Sequence, residues 1–531
     1  MNCAKILDCT LRDGAYLVDK KFGDNTIHGM ISGLIEANID IIEVGFLQDE
    51  GMGEGKTVYK NAGEVKKFIP EKKGNSIFSV LADYSRYSIE NLEENDGTSI
   101  DAVRACFFKN ERYDVIEFCR EVKRKGYKLF VQPVDILGYT DSEIIELIES
   151  INELEPYCFS IVDTFGSMYA DDLQRVFGLI DHNLVYSSKI GFHSHNNMQM
   201  SNALSQEFLK ISYGKRKVVV DTTISGMGRG AGNTPTELVA QYMVSKLGYN
   251  YDIDAILDVI DTYMDKIRSK CEWGYNTPYF IAGSYSAHVN NIYYLTQKPT
   301  IRSKDIRYIL NKIGSKERKR YNYDLLEKTY MDYMESDIDD SEFVEKLKEE
   351  FKNKNVCIIA PGTSIKSCEK ELRNWIENNG AIVITVNFLH ESIKSDYVFI
   401  SNIRRYNYWK NDEKFEKCKR IVTSNLHDLE HETNNMISFT KLVKCGWKNM
   451  DNAAILLLRL LDMMELKSLS IAGLDGYDNT NNYLNEELEV RDVRSACIER
   501  NVEIQEMLND YMKLRVHDYS IQFITDTRFK L

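Results

Sequence analysis

The chain is 531 residues long, with 81 acidic against 67 basic side chains, a net charge of -14 and 43% hydrophobic residues. That balance argues against a nucleic-acid binder, which needs a basic footprint, and against a disordered polymer. The length gives room for two or more domains with large cores. The eleven cysteines form no C-x-x-C pair, which argues against a zinc ribbon or a disulfide framework and points to a reducing, cytoplasmic setting. No basic region followed by an apolar run opens the chain, so no signal peptide is expected.

The first stretch, Ile6-Leu7-Asp8-Cys9-Thr10-Leu11-Arg12-Asp13-Gly14, carries a short apolar run straight into an arginine, an aspartate and a glycine. A buried parallel strand that delivers charge to the mouth of a barrel reads this way. From this strand, Ala4–Cys9, strand-like segments recur at Ile39–Gly45, Ser76–Leu81, Ser99–Phe107, Tyr127–Val134, Tyr157–Asp163, Ser187–Phe192 and Lys217–Asp221. Helical patterns such as Tyr113–Lys125, Asp141–Leu154 and Asn196–Ser212 lie between them. Eight strand–helix pairs over roughly 250 residues are the size of a (β/α)₈ TIM barrel. An open doubly wound sheet shares the alternation, because periodicity does not reveal closure.

A barrel places its chemistry at the carboxyl ends of the strands. Arg12 and Asp13 follow the first strand, Glu43 lies near the end of the second, and Gln132 and Asp135 end the fifth. Asp163 and Thr164 end the sixth, His193 and His195 the seventh, and Asp221-Thr222-Thr223 the eighth. Histidines two apart on a strand point the same way, so His193 and His195 can grip one metal ion, and Asp13 would add an oxygen. Two imidazoles and one carboxylate with open positions describe a catalytic metal site.

From about Tyr251 to Lys348 the pattern turns helical and charged, broken by the turn-rich Trp273–Tyr279; Ser336–Lys354 reads as a solvated linker helix. A second alternation opens at Asn355, with strands at Val356–Ala360, Ala381–Val386, Tyr397–Ile400, Arg420–Thr423 and Ser468–Ala472 and helices at Ile365–Asn378 and Asp451–Glu465. This is a smaller α/β unit of doubly wound, Rossmann-like type. The most apolar helix, Ala453–Met464, is interrupted by Arg459 and Asp462 and is too short to span a bilayer. The expected organisation is therefore a barrel at 1–250, a helical extension and linker at 251–350, and an α/β domain at 351–531.

Residues 1 to about 300 resemble the pyruvate-dependent aldolase and acyltransferase superfamily, which includes 4-hydroxy-2-oxovalerate aldolase, hydroxymethylglutaryl-CoA lyase and isopropylmalate synthase. The likeness rests on Thr10-Leu11-Arg12-Asp13-Gly14, on His193-Ser194-His195, and on Asp221 to Glu237 with its Gly226-Met227-Gly228-Arg229-Gly230-Ala231-Gly232-Asn233 core. The last is closest to the 4-hydroxy-2-oxovalerate aldolase branch. The resemblance implies that Asp13, His193 and His195 bind Mn²⁺ or Mg²⁺, that Asn233 is a further contact, and that Arg12 stabilises a pyruvate enolate. A metal chelated by a 2-oxo acid, helped by a guanidinium, suits an enolate that must be stabilised as it forms. The alternative for Arg12 is a buried ion pair with Glu43 or Asp163. Thr164 would offer its hydroxyl to the substrate carboxylate, and glycines including Gly226 and Gly228 would let backbone approach an anion.

One position departs from the aldolase branch. Two residues after the signature glycine, a histidine serves there as general base, and here Tyr16 stands in its place. Either Tyr16 fills the role in altered form, or Glu43, His28 or Tyr279 does, or the substrate or direction differs. The C-terminal unit distantly resembles Rossmann-like bacterial sialyltransferases of surface-glycan synthesis. That likeness implies a nucleotide or nucleotide-sugar site at Gly362, Thr363, Ser364, Asn387 and Asn402. His390, His427 and His431 read as surface or capping histidines.

The expected function is a metal-dependent aldolase or lyase acting on a small 2-oxo acid with an aldehyde or acyl partner. Its setting would be surface-glycan or nucleotide-sugar metabolism, and its form a homo-oligomer. The alternatives are an acyl-CoA-dependent condensing enzyme of the isopropylmalate or citramalate synthase type, or a non-catalytic barrel carrying a C-terminal transferase or binding module.

Overall fold

The computed structural model describes the chain apart from residues 1–3, 52, 72–73, 299–300, 335–337, 427–428, 445, 448–451, 490–493 and 495. His427 lies outside the described residues. The chain forms two compact units, Met1–Ile292 with Gly314–Tyr321, and Tyr293–Ile313 with Asn322–Leu531.

Among the described residues of the first unit, eight parallel strands form the barrel wall. They are β1 (Ala4–Asp8), β2 (Ile41–Leu47), β3 (Ile77–Asp83), β4 (Ala102–Phe107), β5 (Lys128–Pro133), β6 (Cys158–Asp163), β7 (Lys189–Ser194) and β8 (Val218–Thr222). Each pairs with the next, and β1 pairs with both β8 and β2, through Ala4 opposite Val218 and Leu7 opposite Ile41. That double pairing closes the sheet, and a closed parallel barrel replaces the open-sheet alternative. The strands are apolar outward and, at the barrel floor, inward as well, as a wall between a filled interior and a ring of helices requires.

Outside the wall lie α1 (Asp24–Glu36), the short α2 (Ala62–Val65), α3 (Val115–Arg124), α4 (Asp141–Asn152), α5 (Ala170–Asn183), α6 (Ser201–Ser212) and α7 (Thr236–Leu247). Their apolar stripes pack onto the outward strand residues; in α4 these are Ile144, Leu147, Ile148 and Ile151. Thr140 starts α4 with a capping box, its side chain accepting from the Glu143 amide. The expected alternation fails at one connection: only 3₁₀ turns, Tyr84–Arg86 and Ile89–Asn91, join β3 to β4. The segment Glu93-Glu94-Asn95-Asp96-Gly97-Thr98-Ser99 is acidic and turn-forming and has no apolar stripe to bury.

The pairing of β2 with β3 slips register between Glu43 and Phe46. Gly45 absorbs the slip at φ 150°, where a side chain would collide with the Thr57 carbonyl. The bulge moves Phe46 into a cluster with Ala15, Val58 and Leu81, against the partly buried Tyr16. Beyond α7, Thr277–Ser284 is helical, and Asn291 donates to the carbonyls of Arg318 and Arg320, both at 2.8 Å, tying segment 314–321 to this unit.

The second unit holds a parallel sheet of β9 (Asn355–Ile359), β10 (Ile382–Val386), β11 (Tyr397–Ile400), β12 (Lys419–Thr423), β13 (Met436–Ile437), β14 (Ser468–Ala472) and β15 (Ser520–Phe523). Its spatial order is β13-β12-β11-β10-β9-β14-β15. The charged run read as a linker contains a helix, Ser341–Phe351, whose Phe343, Leu347 and Phe351 are buried, with Phe351 edge-on to Tyr397 at 5.3 Å. Among the described residues no helix is long and apolar enough to cross a membrane.

Candidate functional site

Inward positions of the barrel recur every second residue. Leu7, Ile41, Ala102, Phe130, Cys158 and Val219 form an apolar floor. Two residues further along their strands, Glu43, Arg104, Gln132, Ser160 and Asp221 make the next layer polar, and His193 joins it from β7; all are buried. Arg12 and Asp13 enter from the turn after β1, where the Asp13 amide bonds the Cys9 carbonyl at 2.7 Å.

Six of these side chains close a ring of charge. Arg12 Nη1 lies 2.9 Å from Asp13 Oδ2, and Arg12 Nε donates to Glu43 Oε2 at 2.7 Å. Arg104 Nη1 donates to the same Glu43 oxygen at 2.9 Å, and its Nη2 pairs with Asp221. Asp221 Oδ2 accepts from His193 Nδ1 at 3.1 Å, and His193 Nε2 stands 3.2 Å from Asp13 Oδ2. Gln132, its amide oxygen turned to Arg104, accepts at 3.1 and 2.7 Å. Three carboxylates face two guanidiniums, so the ring carries one uncompensated negative charge when His193 is neutral. In a low-dielectric interior that imbalance is met either by a proton on His193 or by a cation that replaces it.

The donors converge where a cation fits. The His195 Nε2 is 3.8 Å from Asp13 Oδ2, and the two histidine rings lie 5.1 Å apart, nearly perpendicular. His195 sits just past β7, fixed by a β-bridge to Asn233. Asn233 Oδ1 is a buried acceptor with no hydrogen-bond donor among the described residues, and Asp13 Oδ2 is the buried oxygen on which Arg12 and both histidines converge. Burial opposes the Asp13 carboxylate, yet Arg12 and the histidines hold it well below the usual range. Burial pushes His195 down to about 3, leaving a neutral imidazole. For His193 burial works against the charge, but hydrogen bonding to Asp13 and Asp221 raises it. With Nδ1 donating to Asp221, the other nitrogen faces the centre, as in a carboxylate–histidine–metal relay.

Cys9 also has its ligand atom within 4.8 Å of those of Asp13 and His193. Its buried thiol is held well above its ordinary pKa and donates to the Thr222 carbonyl at 3.3 Å. Burial keeps it a neutral thiol while no cation is bound.

The glycine-rich stretch after β8 folds back on itself. Thr223 and Thr234 pair through a backbone bond of 2.9 Å, and the Asn233 amide bonds the Gly226 carbonyl at 3.0 Å. Asn233 Nδ2 donates to the Met227 carbonyl at 3.1 Å, and a Cβ on Gly228 would lie 2.2 Å from that nitrogen. Gly228 is therefore needed to let the Asn233 side chain lie flat against the loop. Asn197 spans two loops, donating to the Phe165 carbonyl at 3.0 Å and accepting from the Ala231 amide at 2.9 Å.

Tyr16 packs edge-on to Phe46 at 5.3 Å, with the Arg229 guanidinium 3.9 Å over its ring. Burial pushes its phenol above the ordinary value, so Tyr16 keeps its proton. Glu43 is engaged by two arginines, which realises the ion pair weighed for Arg12. His28 is exposed on α1 against Phe68 at 5.0 Å, and the Asn276 side chain caps the helix holding Tyr279. The Thr164 hydroxyl accepts from the Asp135 amide at 2.8 Å, fixing one strand end to the next. Burial raises Asp163 to about 6, where Ser167 and Ser194 bond it.

In the second unit, Gly362, Thr363 and Ser364 gather around Asp475. The Ser364 amide and hydroxyl donate to it at 2.8 and 2.5 Å, and the Gly362 amide bonds the Gly473 carbonyl at 2.9 Å. Asn387 accepts from the Ser401 amide at 3.0 Å, and Asn402 caps Ile403–Trp409. His390 accepts from the amides of Ser392 and Ile393 at 3.2 and 3.1 Å, as a capping residue does.

The HMGL-like family model matches residues 101–262. The 4-hydroxy-2-oxovalerate aldolase of Thermomicrobium roseum is 28% identical over 258 residues, 47% of this chain and 69% of the relative. The oxaloacetate decarboxylase of Mycobacterium tuberculosis is 24% identical over 269 residues, 48% of this chain and 74% of the relative. Among solved structures, the HMG-CoA lyase of Brucella melitensis aligns at 15% identity and a TM-score of 0.42, over 51% of this chain and 100% of that one. The barrel half of the chain is thus similar, at modest identity, to HMGL-like aldolases and lyases.

Proposed function

We propose that this chain is a divalent-metal-dependent lyase or aldolase that breaks or makes a carbon–carbon bond beside a 2-oxo acid through a pyruvate enolate. The observation that carries the reading is the buried convergence of His193 and His195 on Asp13 Oδ2, within a ring one negative charge in excess when His193 is neutral, beside the unpartnered acceptor Asn233 Oδ1. Asp13, His193 and His195 would hold the cation and Asn233 would contact it; oxygen and imidazole donors suit Mn²⁺ or Mg²⁺. When bound, such a cation supplies Lewis-acid polarisation of the 2-oxo acid carbonyl.

This chain's residues do the rest. Arg12 has Nε on Glu43 and Nη1 at Asp13, which leaves Nη2 to donate to the developing enolate oxygen. Glu43 positions that fork. We assign the substrate carboxylate to the Thr164 hydroxyl and the Gly226 and Gly228 backbone, as the sequence motif suggests. Tyr16 carries a proton at Oη that it can hand to a leaving or arriving group. A one-charge deficit matches a divalent cation plus a monoanionic 2-oxo acid, so the loaded site is neutral.

Pyruvate release from 4-hydroxy-2-oxovalerate and from oxaloacetate, with Mn²⁺ and with chelator, tests the reading. Metal-dependent release that His193→Ala abolishes is expected. Release that requires acetyl-CoA would favour the condensing-enzyme alternative. Turnover surviving His193→Ala would overturn the site. We read the second unit as Rossmann-like from its all-parallel sheet; a nucleotide role for its Gly362 loop has less support, since Asp475 already takes the donors of Ser364.

A further inference from the structure

Arg229 is a half-buried cation of the loop that holds Asn233. Its guanidinium makes no ion pair or hydrogen bond among the described residues, whereas Arg12, Arg104 and Lys319 are each matched by a carboxylate. It is held in place by the Tyr16 ring, 3.9 Å away, and Tyr16 itself rests on Phe46. Tyr16 lies three residues after Asp13 and Arg229 four before Asn233, and the Arg229 charge reaches the buried His195 ring.

A neutral donor stands near it. A Cβ on Gly230 would lie 3.1 Å from Val289, which brings the residue after Arg229 against the residue after His288. His288 Nδ1 accepts from the Asn290 amide at 3.2 Å, and the ring packs on Tyr321 at 5.0 Å. Its proton therefore sits on Nε2, which has no partner among the described residues. Burial, and after it Arg229, keep the ring uncharged near pH 7, with a pKa of about 4.

Resting on the enolate reading above, we propose that Arg229 and His288 bind a second anionic group, carboxylate or phosphate, at the far end of the substrate. Charge accounting supports it. The ring, a divalent cation and a 2-oxo acid monoanion already sum to neutrality, so Arg229 is surplus for a substrate whose other half is a simple aliphatic aldehyde. One more negative charge on the substrate uses it, through a bidentate, charge-assisted contact suited to either oxyanion. The reactive partner is then an acidic aldehyde, or an acidic 2-oxo acid in the cleavage direction.

The test is calorimetric titration of the full Mn²⁺-loaded chain with 2-oxobutanoate, 2-oxopentanedioate and a 2-oxo acid of the same length ending in a phosphonate. A dianionic probe should bind at least ~10-fold tighter than 2-oxobutanoate, and the tighter of the two identifies the oxyanion. In Arg229→Gln that ratio should collapse to within about twofold, in Arg229→Lys it should recover in part, and in His288→Ala it should fall by a smaller factor. Equal affinities in the native chain, or equal loss for all probes in Arg229→Gln, would overturn the proposal. Exchange of pyruvate methyl protons with D₂O separates the two readings. Its absence removes the enolate function and leaves the affinity ratio to decide the anion site.

Discussion

The two units place polar loops at the carboxyl ends of parallel strands, yet the loops end differently. In the second unit the Gly362–Ser364 loop closes on Asp475, which accepts from the Ser364 amide and hydroxyl. Asn387 and Asn402 likewise spend their oxygens on nearby amides. In the barrel, Asn233 Oδ1 is buried with no donor among the described residues, and the ring is one carboxylate in excess when His193 is neutral. The same architecture can thus leave a strand end complete without a ligand or incomplete without one. The incomplete end is the better guide to function, because a buried unsatisfied group is costly to keep.

Removing the centre should break this contrast most. Asp13→Ala should lose Mn²⁺ binding and lower pyruvate release more than ~1,000-fold, as loss of several kcal/mol of charge stabilisation would. Metal titration and steady-state kinetics check it. Arg104→Met removes the cation that Glu43 and Asp221 share, leaving Glu43 to Arg12 and Asp221 to His193 alone, and should cost about 3–5 kcal/mol, read from the barrel transition in chemical denaturation. Asp221→Asn should keep the fold by circular dichroism but weaken Mn²⁺ about 10–100-fold, since His193 loses the carboxylate that orients it.

Proton competition gives a gentler handle. Without metal, the raised His193 holds its proton to a higher pH than a free imidazole, and the cation has to displace it. Mn²⁺ affinity should therefore rise with pH, fall about tenfold per unit below the His193 pKa, and level off above it. Electron paramagnetic resonance of free Mn²⁺ across pH measures this. In the second unit, Asp475→Ala should cost only about 1–2 kcal/mol and leave pyruvate release unchanged. A large change in release would mean that the complete end shares in the chemistry.

The eight barrel strands were legible because each is a continuous apolar run bounded by turn residues, and the H-x-H spacing and the Arg12-Asp13 step marked two corners of the site. Arg104 was not. It sits inside Ala102–Phe107, where one arginine among apolar residues looks like an interruption. Only the barrel's period-two interior reveals that Glu43, Arg104, Gln132, Ser160 and Asp221 share one layer. Cys9 and His288 carried no spacing signal, and Arg229 was hidden in a glycine-rich motif that draws the eye to the glycines. The β3–β4 link was overread as helical, and β13 and β15 escaped notice because two- and four-residue edge strands carry too little pattern.

A missing methyl group at position 45 reaches further than its own bulge. By letting β2 slip a residue, Gly45 turns Phe46 inward, Phe46 props Tyr16, and Tyr16 carries Arg229. If Arg229 reads the distal half of a substrate as proposed, that selectivity is wired to a backbone irregularity in a wall strand that supplies no ligand of the cation. A lineage could retune what it condenses or cleaves by editing that strand while its metal chemistry stayed as it was.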